Sequence, residues 1–275
     1  MYIYADSIQN FVKTGGTVTA STSSPYFPVS NIAGSPLACD VWRSATQDSS
    51  HTEYIRIPLG ADYFSASFPN GLDLLIDSWN VDTTCTDLIV TVHASNGNSY
   101  SVPATIKKAP LRIHIPPASI DGLLPDAMNA LVVVVRRLPG QTNYIEMGKM
   151  LLGVPVDTLD SNPSHGSFTR RFGEIKNSGT SVLGQNFSEK LAIYWQGNVQ
   201  IPLVEESVET LIRTLVFESL GTFTPFWVII LPTDTSTSEL DLPRYVKMTT
   251  PPTEKEVTYG TSFVWAISMD LTKQL

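Results

Sequence analysis

Short runs of alternating apolar and polar residues, each closed by Gly, Pro or Asn, limit this chain more than any other feature. Glu53-Tyr54-Ile55-Arg56-Ile57-Pro58-Leu59, Asp87-Leu88-Ile89-Val90-Thr91-Val92-His93 and Leu111-Arg112-Ile113-His114-Ile115 all carry the pattern. Strand side chains point to the two faces in turn, so each run encodes a strand with one buried face. Asn96-Gly97 after the second run is a hairpin signal, because a type I′ turn needs positive φ twice. The β-branched run Ala130–Arg137 reads as the middle of a sheet. Tyr144–Pro155 reads as a last strand region, broken by Gly148 and Gly153. Many short strands parted by turn residues describe a β-sandwich, here over residues 1–156. Its Ser- and Pro-rich loop, STSSPYFPVSNIAGSP, is expected to be pinned to the core by Tyr26, Phe27, Val29 and Ile32.

After the polar stretch Asp157–Gly166 the pattern changes. Residues 157–275 read as a small β-rich α+β or split-barrel domain with one amphipathic helix over 205–220. Val204, Val208, Leu211, Ile212, Leu215 and Val216 form one apolar stripe. Glu205 and Glu206 suit the helix start, and Gly221 its stop. Phe226–Leu231, Tyr245–Thr249 and Thr261–Met269 are further strands. The fold class expected is therefore mainly β, a sandwich followed by the smaller domain.

Composition removes several functions. Hydrophobic residues make up 42% of the chain, enough for two cores, and charged residues only 16%. The formal net charge of -8 leaves no basic footprint for nucleic acid. No segment approaches the roughly 18 apolar residues of a membrane span. The start, MYIYADSIQNF, lacks a signal-peptide pattern, so synthesis and folding in the cytoplasm of the producing cell are expected. Cys39 and Cys85 cannot make a structural zinc site alone, and either a disulfide or two buried thiols fits them.

No catalytic set emerges. His51, His93, His114 and His165 show no metal-ligand spacing, and no GxSxG elbow occurs. No EF-type calcium loop is present, although Asp40, Asp48 and Asp62 lie in loops. Asp73 and Asp77 share a strand face and read as a charged rim. The expectation is a non-enzyme without cofactor or metal. A glycan hydrolase would need two convergent carboxylates in a cleft. Trp42, Trp79, Tyr26 and Tyr63 fit either a core or a sugar platform, and Trp42, Tyr63 and Asp62 are the candidate carbohydrate-binding residues. Gly173, Gly179 and Gly184 suit a tight turn or a projecting loop. Arg170 and Arg171 fit either a contact with a neighbouring subunit or a solvated strand end.

Two stretches resemble known proteins. SSPYFPVSNIAGSPLACDVWRS followed by YIRIPLG resembles the start of the discoidin-like, galactose-binding-like jelly rolls of tailed-phage structural proteins. Phe27, Pro28, Val29, Asn31, Ile32, Val41–Ser44 and Leu59-Gly60 carry that likeness. From Arg170 to Leu231 the chain resembles distal-tail and baseplate proteins of long-tailed phages. The likeness follows an order: Arg170-Arg171, then Leu183-Gly184-Gln185, then Leu191–Trp195, the helix, Gly221 and Pro225-Phe226-Trp227. The resemblance implies a structural virion protein of the tail tip. The second domain would close a ring, with a hexamer as one order it allows and the order itself not given by the sequence, and with Arg170, Arg171, Leu183, Gly184 and Gln185 as candidate subunit-interface residues. The first would contact other tail proteins or a host-surface glycan. One departure is that the jelly roll comes first here, whereas in those proteins it often follows or interrupts the assembly domain.

Overall fold

A computed structural model describes residues 2–4, 10–34, 41–45, 52–77, 80, 85–102, 110–123, 127–155, 157–158, 168–180, 186–204, 213, 222, 224–230, 242–259 and 262–273. The chain is mainly β. It divides into two compact units, one of Tyr4–Val156 together with Thr237–Arg244 and the other of Asp157–Ser236 and Tyr245–Leu275 together with Met1–Ile3.

The strands in chain order begin with β1 (Tyr2–Tyr4), β2 (Thr19–Ala20), β3 (Trp42–Arg43), β4 (Thr52–Tyr63), β5 (Leu72–Ile76) and β6 (Cys85–Ala94). They continue with β7 (Ser99–Val102), β8 (Leu111–Ile115), β9 (Met128–Arg137), β10 (Glu146–Met147) and β11 (Met150–Gly153). Short helices α1 (Phe11–Thr14), α2 (Asn31–Gly34) and α3 (Pro117–Asp121) lie between them. In the first unit a five-stranded sheet, β2-β4-β9-β6-β7, faces a three-stranded one, β11-β5-β8, and β3 pairs with β10 at the side. All pairings are antiparallel. This is a jelly-roll sandwich.

The alternation explains the core. Ile55 and Ile57 of β4, Val90 and Val92 of β6, and Leu131, Val133 and Val135 of β9 point inward from the larger sheet. Leu72, Leu74, Ile76, Ile113, Ile115 and Leu152 meet them from the smaller one. Each such side chain contributes about 1.5–3 kcal/mol by leaving water. β9 runs between β4 and β6, the central place its β-branched run predicts. The β6–β7 connection turns at Asn96-Gly97 with Gly97 at φ 94°, and Asn98 N–H donates to Asn96 Oδ1 at 2.8 Å. Gly15, after α1, lies against β4 so closely that a Cβ there would stand 2.0 Å from the Pro58 carbonyl oxygen.

The second unit contains β12 (Asp157–Thr158), β13 (Phe168–Thr180), β14 (Asn186–Val204), β15 (Phe226–Ile229), β16 (Arg244–Met248), β17 (Thr253–Tyr259) and β18 (Ser262–Lys273). With β1 they form one sheet in the order β12-β1-β15-β16-β18-β14-β13, and β17 is also paired to β18. Val199, Ile201, Ile267, Met269 and Leu271 are buried on one face. The helix expected over 205–220 lies outside the described residues, apart from Arg213, whose Nη2 donates to Glu254 Oε2 at 2.6 Å.

Candidate functional site

Among the described residues of the first unit, the most exposed aromatic is displayed by a tight turn. Ser24-Pro25-Tyr26-Phe27 closes with the Phe27 N–H donating to the Ser24 carbonyl at 3.1 Å. Pro25 sits at the second position, where its fixed φ suits a turn. Ser24 N–H donates to the Arg43 carbonyl at 2.9 Å, and Arg43 N–H to the Phe27 carbonyl at 3.1 Å, so β3 grips both ends. Tyr26 projects with 87% of its surface exposed. The expectation that it anchors the loop is thereby corrected: a turn has no inward side for the residue at its tip. Phe27 does the anchoring, with the Arg43 guanidinium 3.9 Å above its ring. Arg43 also donates to Glu146 Oε1 at 2.6 Å and lies 5.6 Å from the Tyr144 ring. Tyr26, Phe27, Arg43, Tyr144 and Glu146 therefore form a surface of aromatic faces and one ion pair.

A buried polar network holds this turn from below. Glu53 lies in phase with Ile55 and Ile57, so its carboxylate enters the core and is fully buried. It accepts from Ser21 Oγ and from Thr22 Oγ1 at 2.8 and 2.9 Å, and faces Arg137 Nη2 at 3.8 Å. Arg137 in turn donates to the Asn143 carbonyl and, at 2.7 Å, to Ser44 Oγ. Trp42 is fully buried and donates its indole N–H to the Thr22 carbonyl at 3.1 Å. The strand preceding the turn is thus fixed by a charged pair and a tryptophan.

A second polar cluster occupies the face of β5 away from the sandwich core. Asp73 accepts from Tyr4 Oη at 2.6 Å and from Arg112 Nε and Nη2 at 3.0 and 3.2 Å. His114 Nδ1 stands 3.0 Å from Asp73 Oδ1. Burial pushes the Asp73 carboxyl up. The His114 hydrogen bond, the Arg112 charge and hydrogen bond, and the Tyr4 hydroxyl outweigh it and hold the group below its ordinary value. A carboxylate so occupied is a poor general base, and the cluster reads as structural. The rim expected of Asp73 and Asp77 is corrected, since both are buried. Arg112 and His114 lie opposite the core as expected, yet they are spent on Asp73. The signal was Leu75, which shares the Asp73 face and requires that face to be covered. His93 is shifted down by burial and by the Arg56 charge.

The second unit carries a cavity of about 500 Å³ lined by Gln196, Gly197, Asn198, Gln200, Thr249, Asp270 and Leu271. Gln196, Asn198 and Gln200 alternate along β14, and Asn198 lies opposite Asp270 of β18. Asn198 Nδ2 donates to Asp270 Oδ1 at 2.8 Å and to Ser268 Oγ at 3.1 Å. Thr250 Oγ1 lies 3.3 Å from Asp270 Oδ2. Beside the cavity the sheet has two strands among the described residues. β14 pairs with β18 only from Gln196 onward, whereas β13 and β14 stay paired from Phe172↔Trp195 out to Thr180↔Asn186. That hairpin arm of about nine rungs spans roughly 30 Å, and both its edges lack a strand partner among the described residues.

The sequence-derived candidates fall as follows. Trp42 is in the core, away from solvent. Tyr63 is half-buried against Phe11 and Phe68, with ring centroids 5.5 and 5.0 Å away. Asp62 is exposed beside it. None of the three joins the Tyr26 surface in a described contact. Arg170 and Arg171 stand on β13 opposite Gly197 and Gln196. Leu183, Gly184, Gln185, Cys39, Trp79, His51 and His165 lie outside the described residues. Cys85 is buried at the start of β6. Among the described residues no group of three His, Cys, Asp or Glu side chains could hold a metal ion.

No family model and no curated protein matches the chain. Among solved structures, chitosan-binding module 1 of a chitosanase/glucanase from Paenibacillus sp. IK-5 is 17% identical, with a TM-score of 0.37 over 52% of this chain and 97% of that one. The family 32 CBM of C. perfringens NanJ, solved in complex with galactose, is 10% identical, with a TM-score of 0.36 over 52% and 98%. At these scores the likeness carries no functional weight, and the jelly-roll assignment rests on the strand order and register above.

Proposed function

We propose that this chain is a non-catalytic assembly protein, a structural component of a phage tail tip whose second unit joins copies of the chain into a ring. One observation carries the reading: a two-stranded arm with both edges unpartnered among the described residues. A lone hairpin is marginal in water, and its backbone N–H and C=O groups are a template for another strand. Addition to a neighbour's sheet satisfies both demands. Head-to-tail contacts of this kind close into rings when the rotation permits. Light scattering of the purified chain should give a multiple of the 30.1 kDa monomer mass, with rings in negative-stain images. A monomer at every concentration tested sinks the reading.

A second reading, that the first unit attaches to a surface glycan, is favoured by the Tyr26 turn. An exposed ring on a turn already fixed by β3 offers stacking area with little ordering cost. The Arg43–Glu146 pair beside it supplies donors and acceptors for hydroxyls. A glycan array should show binding by the wild-type chain and a loss of about tenfold or more for Tyr26→Ala. Equal binding by the two proteins removes Tyr26 from that role.

A further inference from the structure

We infer that the surface around Tyr26 takes a neutral pyranose and turns away sugars that carry a carboxylate, and that Glu146 sets this choice by occupying the Arg43 guanidinium. The inference rests on the glycan reading and adds the class of sugar and the residue that selects it.

Strand pairing builds the selecting group. Arg43 of β3 lies directly opposite Glu146 of β10. Arg43 Nε and Nη2 both reach Glu146 Oε1, at 2.6 and 2.5 Å. The two side chains are 31% and 32% exposed, so a ligand can reach them while part of their water is already gone. What they still offer is one group of each kind. Among the described residues Arg43 Nη1 has no acceptor and Glu146 Oε2 has no donor. A donor beside an acceptor suits neighbouring hydroxyls, and the exposed Tyr26 ring suits the apolar face of the sugar that bears them.

The charge excludes an anionic ring. Arg43 is the one cation among Tyr26, Phe27, Arg43, Tyr144 and Glu146, and Glu146 cancels it. An arginine binds a carboxylate best through two parallel N–H groups. Here the edge formed by Nε and Nη2 is already given to Glu146. A ligand carboxylate drawn to Nη1 would stand close to a second carboxylate, and such like-charge contacts lower affinity for the wrong partner. Glu146 is also held in place through its backbone. Its N–H donates to Asn80 Oδ1 at 2.9 Å, and its carbonyl accepts from the Asn80 N–H at 3.2 Å. Asn80 Nδ2 donates to the Tyr144 carbonyl at 2.9 Å, so one asparagine fixes both Glu146 and the ring beside Arg43.

The test is a glycan array of matched pairs, each a neutral glycan and its uronate or sialylated form, read with wild type, Glu146→Gln and Asp121→Asn. Wild type should bind the neutral members about tenfold more tightly. Glu146→Gln keeps an acceptor opposite Arg43 and removes the charge, so it should abolish most of that preference. Asp121 is exposed on α3, and Asp121→Asn makes the same change in net charge, so it should leave the preference as it is. Thermal melting checks that each variant is folded, and added salt should narrow the preference of wild type alone by screening the repulsion. Wild type binding the carboxylate forms as tightly as the neutral ones would overturn the inference and leave the glycan reading intact. A preference unmoved by Glu146→Gln, or moved equally by both substitutions, would overturn the role of Glu146. Absence of binding to every glycan would remove the glycan reading and this inference together.

Discussion

Asp73 shows how one side chain can link stability to pH. Its folded carboxyl is held below the ordinary value of 3.8 by His114, Arg112 and Tyr4 against the opposing effect of burial. A depressed carboxyl contributes stability above the unfolded value, and that contribution is lost as pH falls through the folded one. Urea unfolding at pH 7 should therefore show Asp73→Asn less stable than wild type by ~3 kcal/mol, the cost of breaking a buried pair. Below pH ~3.8 the difference should shrink, since wild type then loses the same charge. A gap that stays constant down to pH 2 would mean Asp73 acts by shape alone. Glu53 teaches a related lesson about reading residues. Its place in phase with Ile55 and Ile57 marks it as core-facing in the sequence itself, but its partners Ser21, Thr22 and Arg137 are separated from it by loops and a strand, and only the fold brings them together.

At the scale of elements, strands were legible and sites were not. β4, β6, β8 and β9 follow directly from alternation, because a half-buried strand must alternate. The Asn96-Gly97 signal marks the hairpin, but the turn closes from the Gly97 N–H to the Ala94 carbonyl, one residue earlier than a type I′ turn centred on Asn96-Gly97. The glycines at 173 and 179 suit a tight turn or a projecting loop, but both lie within paired β13, opposite Tyr194 and Phe187, because strand pairing is a long-range fact that a glycine does not reveal. The Tyr26 turn was hidden for a different reason. Aromatics in a Ser- and Pro-rich loop usually fill a core, and whether one points outward depends on the turn position it occupies. Replacing residues 174–191 with a short Gly-containing turn tests the arm as an element. The far-UV spectrum and melting temperature should change by only a few degrees, since this ribbon packs on no described third strand. The mass by light scattering should fall to that of the monomer. An unchanged oligomer would show that assembly uses another surface.

For the whole molecule, the division between Val156 and Asp157 implies two separately stabilised bodies. The segment Tyr4–Val156 contains both sheets of the sandwich, the Glu53–Arg137 pair and the complete Asp73 cluster including Tyr4. Expressed alone, it should unfold in a single cooperative transition, and Leu74→Ala should cost it about 3 kcal/mol in chemical denaturation. A fragment without a cooperative transition would show that the sandwich depends on the remainder of the chain. Composition is legible without a fold, because apolar content is a sum over the chain, but it allows one large β domain or two of moderate size and leaves the division to the structure.

The placement of β1 has a consequence for the order of events during synthesis. Tyr2 pairs with Thr158 and Ile3 with Asp157, and β1 also borders β15. Its partners are therefore made only after both sheets of the sandwich have been synthesised. Domains tend to fold as they emerge, N-terminal ones first. The opening strand must wait, unpaired, through about 150 residues of translation. A bulky fusion ahead of Met1 would consequently disturb the last sheet to form.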